Sequence, residues 1–240
     1  MMRGADAAES AESWPPHEAG SGIPALGKNE IHLWRAPLDA GPGRLGSLEK
    51  LLQPDESSRA ARFRFPHHRA RFIAARGILR SVLAIHLECA PESLRFAYGK
   101  HGKPALAEPA GTGIEFNLSH SADLAIYAVA LRREVGVDVE HIKRKGSWLE
   151  IARQYFSSAE AAELAALPGE TMGNRFFEMW AGKEARLKAL GVGLRFPLDK
   201  PVDAVAWPVV TLRPMPGYVA ALAFASRPGE PAVIRHHFAT

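Results

Sequence analysis

One short segment, Val135-Gly136-Val137-Asp138-Val139-Glu140, constrains the fold of this chain more than any other. In an extended strand successive side chains point to opposite faces. Val135, Val137 and Val139 therefore need burial on one side, while Asp138 and Glu140 share the other. At a rise of roughly 3.3 Å per residue the two carboxylates stand about 6.6 Å apart along the strand. That spacing suits two acids converging on one hard cation such as Mg2+, and equally an ordinary half-buried strand with two solvated acids. The rest of the chain decides between them.

With 240 residues the chain can bury a sizeable core, as one large domain or two small ones. Its 47% hydrophobic and 23% charged residues are those of a soluble globular protein. The single cysteine, Cys89, excludes an intrachain disulfide framework and a Cys-based zinc site. The apolar stretches near Ile126 and Leu222 are far shorter than the ~20 residues of a membrane-spanning helix. The N-terminus lacks a basic patch followed by a long apolar run, so a soluble cytoplasmic protein is expected, without a membrane partner. Net charge is only +4, but it is clustered. No acid lies between Glu56 and Glu88, whereas Arg59, Arg62, Arg64, Arg69, Arg71, Arg76 and Arg80 all do. Such a field favours phosphates or an acidic partner. The stretch matches none of the usual nucleic-acid modules, and nucleic acid is not expected as a partner.

Residues 1 to 28, rich in Ala, Glu, Ser, Gly and Pro, read as a flexible extension. Strands are expected at 31–34, 114–121, 124–131, 135–140, 209–212, 218–225 and 233–238. Helices are expected from Pro54, over about 69–86, over 148–156 and 158–167 with Ser157 or Ser158 as a cap, and over 173–190. In the 69–86 helix Phe72, Ala75, Leu79, Val82, Leu83 and His86 form the apolar stripe, which leaves Arg80 on a solvated face. Asp123–Ala130 and Gly217–Phe224 are loosely alike, a hint of two similar halves.

On a helical wheel of 176–190, Phe176, Trp180 and Leu187 define the buried stripe, and Glu184 projects within it. Lys183 and Lys188 flank that stripe on opposite sides. A carboxylate on a buried face is costly unless a cation or strong donors compensate it. Three acids brought together, Asp138, Glu140 and Glu184, repel one another unless a divalent cation holds them ionised, and oxygen-only ligation points to Mg2+ or Mn2+. Ser119-His120-Ser121 lacks the Gly-x-Ser-x-Gly setting of a hydrolase. Gly191-Val-Gly193 reads as a helix C-cap and turn, and the adjacent pairs His67-His68 and His236-His237 do not suit paired metal ligation.

Four motifs occur in order: Gly102-Lys103-Pro104, Phe116–Ser121, Gly136–Glu140, and Trp180-Ala-Gly-Lys-Glu-Ala-Arg-Leu-Lys188. Together they resemble the Sfp-type phosphopantetheinyl transferases over roughly residues 31 to 238. The resemblance implies transfer of the phosphopantetheine arm of coenzyme A to a serine of an apo acyl or peptidyl carrier protein, usually acidic, with release of 3',5'-adenosine bisphosphate. It maps the metal ligands onto Asp138, Glu140 and Glu184. Coenzyme A phosphate contacts map onto Lys103, Ser119, His120, Lys183 and Lys188, and, counting from Phe63 and Arg80, onto Arg59 and Arg71. A lysine often found three residues before Arg59 is replaced by Glu56, which would weaken coenzyme A binding if it faced the nucleotide. Lys188 and His120 are expected to add charge or donors at the reacting oxygens, and Glu184 to take the serine proton. The implied fold is α+β, with two similar pseudo-symmetric halves, 29–134 and 135–240, the active site in the cleft between them, and a monomeric chain. A binding module acting through the arginine-rich helix and a Mg2+-dependent phosphodiesterase are the rival readings.

Overall fold

The protein is described from a computed structural model covering residues 14, 25–143, 145–193, 198–200 and 202–238. In chain order it forms β1 (Glu30–Pro37), α1 (Pro42–Glu49), α2 (Pro54–Ala61), α3 (Pro66–Leu87), β2 (Arg95–Tyr98), β3 (Pro104–Glu108), β4 (Ile114–Ser121) and β5 (Leu124–Leu131). Then follow β6 (Val135–His141), α4 (Trp148–Tyr155), α5 (Ser158–Ala165), α6 (Gly169–Leu190), β7 (Val209–Leu212), β8 (Tyr218–Phe224) and β9 (Ala232–His237). One sheet has the order β4-β5-β1-β9, antiparallel except for the parallel β1–β9 pair. A second, antiparallel sheet has the order β6-β8-β7, and β2 and β3 form a separate hairpin. The architecture is mixed α and β, as expected for an α+β fold.

Alternation sorts the strands into layers. On β5, Ala125, Tyr127 and Val129 join the core under α3, while Ile126, Ala128 and Ala130 meet Val135, Val137, Val139 and Leu222 of the second sheet. The opposite face of that sheet, through Ala221 and Ala223, packs on Ala181, Ala185 and Ala189 of α6. The two similar Ala-rich segments are thus β5 and β8, inner strands with almost no exposed face. A strand covered on both sides reads as a continuous run of small apolar residues, and their likeness follows from that shared requirement.

Gly136 marks the closest approach of β6 to α6. A Cβ there would stand 2.1 Å from the Ala185 carbonyl oxygen and 2.2 Å from the Ala189 nitrogen, both backbone atoms that cannot swing aside. Gly136→Ala is therefore expected to cost about 3 kcal/mol or more, at the upper end of overpacking substitutions, read as a lower urea midpoint. At the other end of the helix's last turn, Gly191 takes the left-handed conformation (φ 71°) and caps α6, as its position after the apolar stripe predicts.

Arg80 corrects the sequence reading. Expected on a solvated face, it is 1% exposed, and Arg76 is nearly as buried. Glu56 of α2 lies between them: Arg76 Nε donates to Glu56 Oε1 at 2.6 Å, and Arg80 Nε to Glu56 Oε2 at 2.7 Å. Arg80 also donates to the Leu94 and Pro91 carbonyls, and both guanidiniums lie over the Phe96 ring. Burial of a charge is tolerable when paired and fully hydrogen-bonded, and this network meets that condition. Glu56 consequently faces inward onto arginines, not toward a nucleotide.

Within the segment expected to be a flexible extension, Trp14 lies against the fold. Its side chain is buried, its indole N–H donates to the His236 carbonyl at 2.9 Å, and Arg35 lies over the ring. The rest of segment 1–24 lies outside the described residues. Beside it, His32, His86 and His236 gather around Trp34: His236 Nε2 is 3.1 Å from His32 Nδ1, and the Trp34 indole donates to His86 at 3.2 Å. Burial, reinforced by repulsion from His32, pushes His86 and His236 down to about 4. A base whose folded pKa is depressed gives stability that is complete above its unfolded value near 6.5 and lost as pH falls toward 4. We expect Tm to fall across that window, and a His86→Gln/His236→Gln variant to show a flatter profile.

Candidate active site

Strands β4 and β6 are the facing edges of the two sheets, and β4 side chains take the place of a backbone ladder between them. Asn117, Ser119 and Ser121 alternate toward β6. Asn117 Oδ1 accepts from the Val137 N–H at 2.9 Å, and Ser121 Oγ accepts from the His141 N–H at 3.1 Å. Between these ties Ser119 Oγ donates to Asp138 Oδ1 at 2.9 Å, and Ser121 Oγ donates to Glu140 Oε2 at 3.1 Å. The motif serine and both strand carboxylates are thereby fixed along one seam.

Helix α6 lays Glu184 and Lys188 over the same seam, since residues four apart share a helix face. Lys188 Nζ donates to Asp138 Oδ1 at 2.6 Å and to Ser119 Oγ at 2.8 Å. Asp138 Oδ2 and Glu184 Oε1 are buried without a hydrogen-bond partner. Burial, then repulsion from Asp138, pushes the Glu184 carboxyl up to about 7, with Lys188 opposing and Glu140 adding to the rise. Glu140 is raised for the same two leading reasons. Among the described residues no three His, Cys, Asp or Glu side chains are drawn together as a metal-ligating group. Even so, two buried, unpartnered carboxylate oxygens on an oxygen-only donor set fit a hard divalent cation.

The basic residues divide. His120, exposed at the end of β4, has its pKa lowered first by local desolvation and then by Lys188 and Arg71. Lys188 of α6 and Arg71 of α3 thus both act on the charge of this β4 side chain. Arg59 lies exposed on α2, its guanidinium over Phe72. Lys103, in the loop between β2 and β3, donates to the carbonyls of Val135 and Ala189, tying that loop to the start of β6 and the end of α6. Burial lowers its pKa. Lys183 is not brought to the carboxylates: it pairs with Glu160 at 2.8 Å, donates to the Leu198 carbonyl and lies over Phe156. The sequence reading passed over Ser121, although its i, i+4 spacing from Asn117 on an alternating strand was the signal available. It also passed over the group beyond it, where Tyr218 donates to Asp123 and lies tilted against His141.

Comparison with known proteins agrees with this geometry. A family model described as 4'-phosphopantetheinyl transferase superfamily matches residues 134–222, and one described as 4'-phosphopantetheinyl transferase, N-terminal, matches residues 42–132. The chain is 40% identical over 215 residues to the 4'-phosphopantetheinyl transferase HetI of Nostoc sp., covering 85% of this chain and 91% of that protein. It is 30% identical over 148 residues to the 4'-phosphopantetheinyl transferase Sfp of Bacillus subtilis, covering 62% and 64%. The human L-aminoadipate-semialdehyde dehydrogenase-phosphopantetheinyl transferase is 29% identical over 158 residues, 62% of this chain and 51% of that one. With Ser119, Asp138, Glu184 and Lys188 assembled at one seam and similarity running along most of its length, the chain belongs to the Sfp-type 4'-phosphopantetheinyl transferase family.

Proposed function

We propose that this enzyme transfers the 4'-phosphopantetheine arm of coenzyme A to a serine of an apo acyl or peptidyl carrier protein. The serine oxygen forms a bond to the phosphorus that bears the pantetheine arm. The pyrophosphate P–O bond breaks, and 3',5'-adenosine bisphosphate leaves with the electron pair. The observation that carries this reading is the Asp138–Ser119–Lys188 contact beside the two unpartnered oxygens of Asp138 and Glu184. In it Asp138, Glu140 and Glu184 would hold Mg2+, or Mn2+, which would neutralise pyrophosphate charge when bound. Lys188 and Ser119 orient Asp138, while His120, Arg71, Arg59 and Lys103 supply charge and donors to the phosphates of coenzyme A. Glu184, kept ionised when the cation is bound, is also assigned the role of accepting the serine proton. Lys183 belongs to the phosphate contacts in this reading only if it leaves Glu160.

The partner we propose is an acidic carrier, met in the cytoplasm by a monomer, with neither nucleic acid nor membrane involved. Support for a monomer is that β4, β6, α2, α3, α6 and the β2–β3 loop of one chain supply all these side chains. Halves 29–134 and 135–240 with the site in a cleft between them belong to the same proposal. Titration calorimetry with coenzyme A tests the metal part: binding is expected to require Mg2+ and to be lost in Asp138→Ala. Equal binding in EDTA would contradict it.

A further inference from the structure

The connection from α2 into α3 is unlike the rest of the surface. Arg62, Phe63, Arg64, Phe65, Pro66, His67, His68 and Arg69 are all exposed. Phe65 is half exposed and Phe63 more than a third. Arg64 lies over the Phe65 ring, which also stacks on His67 and meets His68 edge-on, so cations and an aromatic surface form one ridge. Arg69 pairs with Glu49. Among the described residues no ion pair joins Arg62 or Arg64 to an acid, and no acid occurs in the first turn of α3. Exposed aromatics beside unneutralised arginines are the composition of the centre of an interface, since isolated charge alone needs no large apolar group.

Its position gives it a use. Arg71, whose charge acts on His120 at the seam, follows Phe65 by six residues, about 9 Å along the helix axis. A protein whose serine enters the seam would cover this ridge as well. We propose that the Arg62–Arg69 ridge is the docking surface for the acidic face of the apo carrier protein, with Arg62 and Arg64 meeting its carboxylates and Phe65 an apolar residue between them. This rests on the transferase reading. Charge complementarity selects the occupant: the ridge's charged side chains are all arginines, and steering of an acidic partner toward an active site raises the association rate.

Steady-state transfer with apo carrier and coenzyme A varied separately tests it. In Arg62→Glu/Arg64→Glu the KM for carrier is expected to rise at least tenfold, with kcat and the KM for coenzyme A unchanged. Raising NaCl should weaken carrier use by the wild type and affect the variant much less. Phe65→Ser serves as the second variant: Phe65 is the extended N-cap residue of α3 without a side-chain cap, and serine suits that position. The helix should hold or gain stability while the carrier KM rises several-fold, which separates docking from folding. An unchanged carrier KM in both variants, with an active wild type, overturns the ridge alone. A wild type that modifies no carrier overturns the transferase reading and the ridge with it. Tighter binding of a single-stranded oligonucleotide than of carrier, lost in Arg62→Glu/Arg64→Glu while carrier KM stays fixed, would assign the ridge to nucleic acid instead.

Discussion

Glu184→Gln is expected to lower the rate of transfer by about 10²–10⁴-fold, the range attributed to a positioned acid or base, while leaving the fold intact. The amide keeps the shape of a side chain that is only 7% exposed, so its effect is one of charge and basicity. It cannot accept the serine proton, and it weakens the donor set shared with Asp138 and Glu140. Stability should move the other way in metal-free protein. A carboxyl raised to about 7 favours the folded state most when protonated, below its unfolded pKa, and that contribution is lost as pH rises through 7. At pH 8 the metal-free Gln variant should therefore melt at a higher temperature than wild type. Retention of most turnover by Glu184→Gln would exclude the base role.

The second large effect is structural. Glu56→Gln should destabilise the fold by about 3–5 kcal/mol, the cost of leaving a buried ionic partner uncompensated. Two guanidiniums depend on this one carboxylate, and neither can reach water: Arg76 is 7% and Arg80 1% exposed. The damage should spread along the network. Arg76 also donates to the Tyr98 hydroxyl at 2.8 Å, and Tyr98 ends β2 immediately before the loop that carries Lys103. A urea titration reads the stability loss, and a rise in the KM for coenzyme A would report the displaced loop. Chemical denaturation indistinguishable from wild type would mean that the pair of arginines is solvated in solution.

These two residues mark how far the sequence could be read. Glu184 was legible because burial of an aromatic stripe forces whatever shares that stripe to be buried too; Phe176 and Trp180 fixed its environment from within one helix. Asp138 and Glu140 were legible for the same local reason, strand alternation. Glu56 and Arg80 were not, because their relation spans 24 residues and two helices, and because α3 is covered on almost every side between Ile73 and Ala84. A wheel with one apolar stripe assumes a solvated back, and α3 has α1, α2 and, through Phe96 and Tyr98, strand β2 against it. Other omissions have similar causes. Helix α1 carries two glycines in eight residues, which masks its propensity, and β2 and β3 are short and mostly exposed, with little alternation to detect. The parallel pairing of β9 with β1 joins residues about two hundred positions apart and carries no local signal. Lys183 was assigned to the coenzyme A phosphates by motif, yet its ammonium goes to Glu160, a partner supplied by α5 and invisible on the α6 wheel.

The measurement that tests the central claim most directly is intact-mass analysis of apo acyl and peptidyl carrier proteins incubated with this enzyme, coenzyme A and Mg2+. The account predicts a gain of one phosphopantetheine group on the carrier serine, abolished by EDTA and by Asp138→Ala. Carriers that stay unmodified throughout, or a gain that persists in both controls, would contradict it.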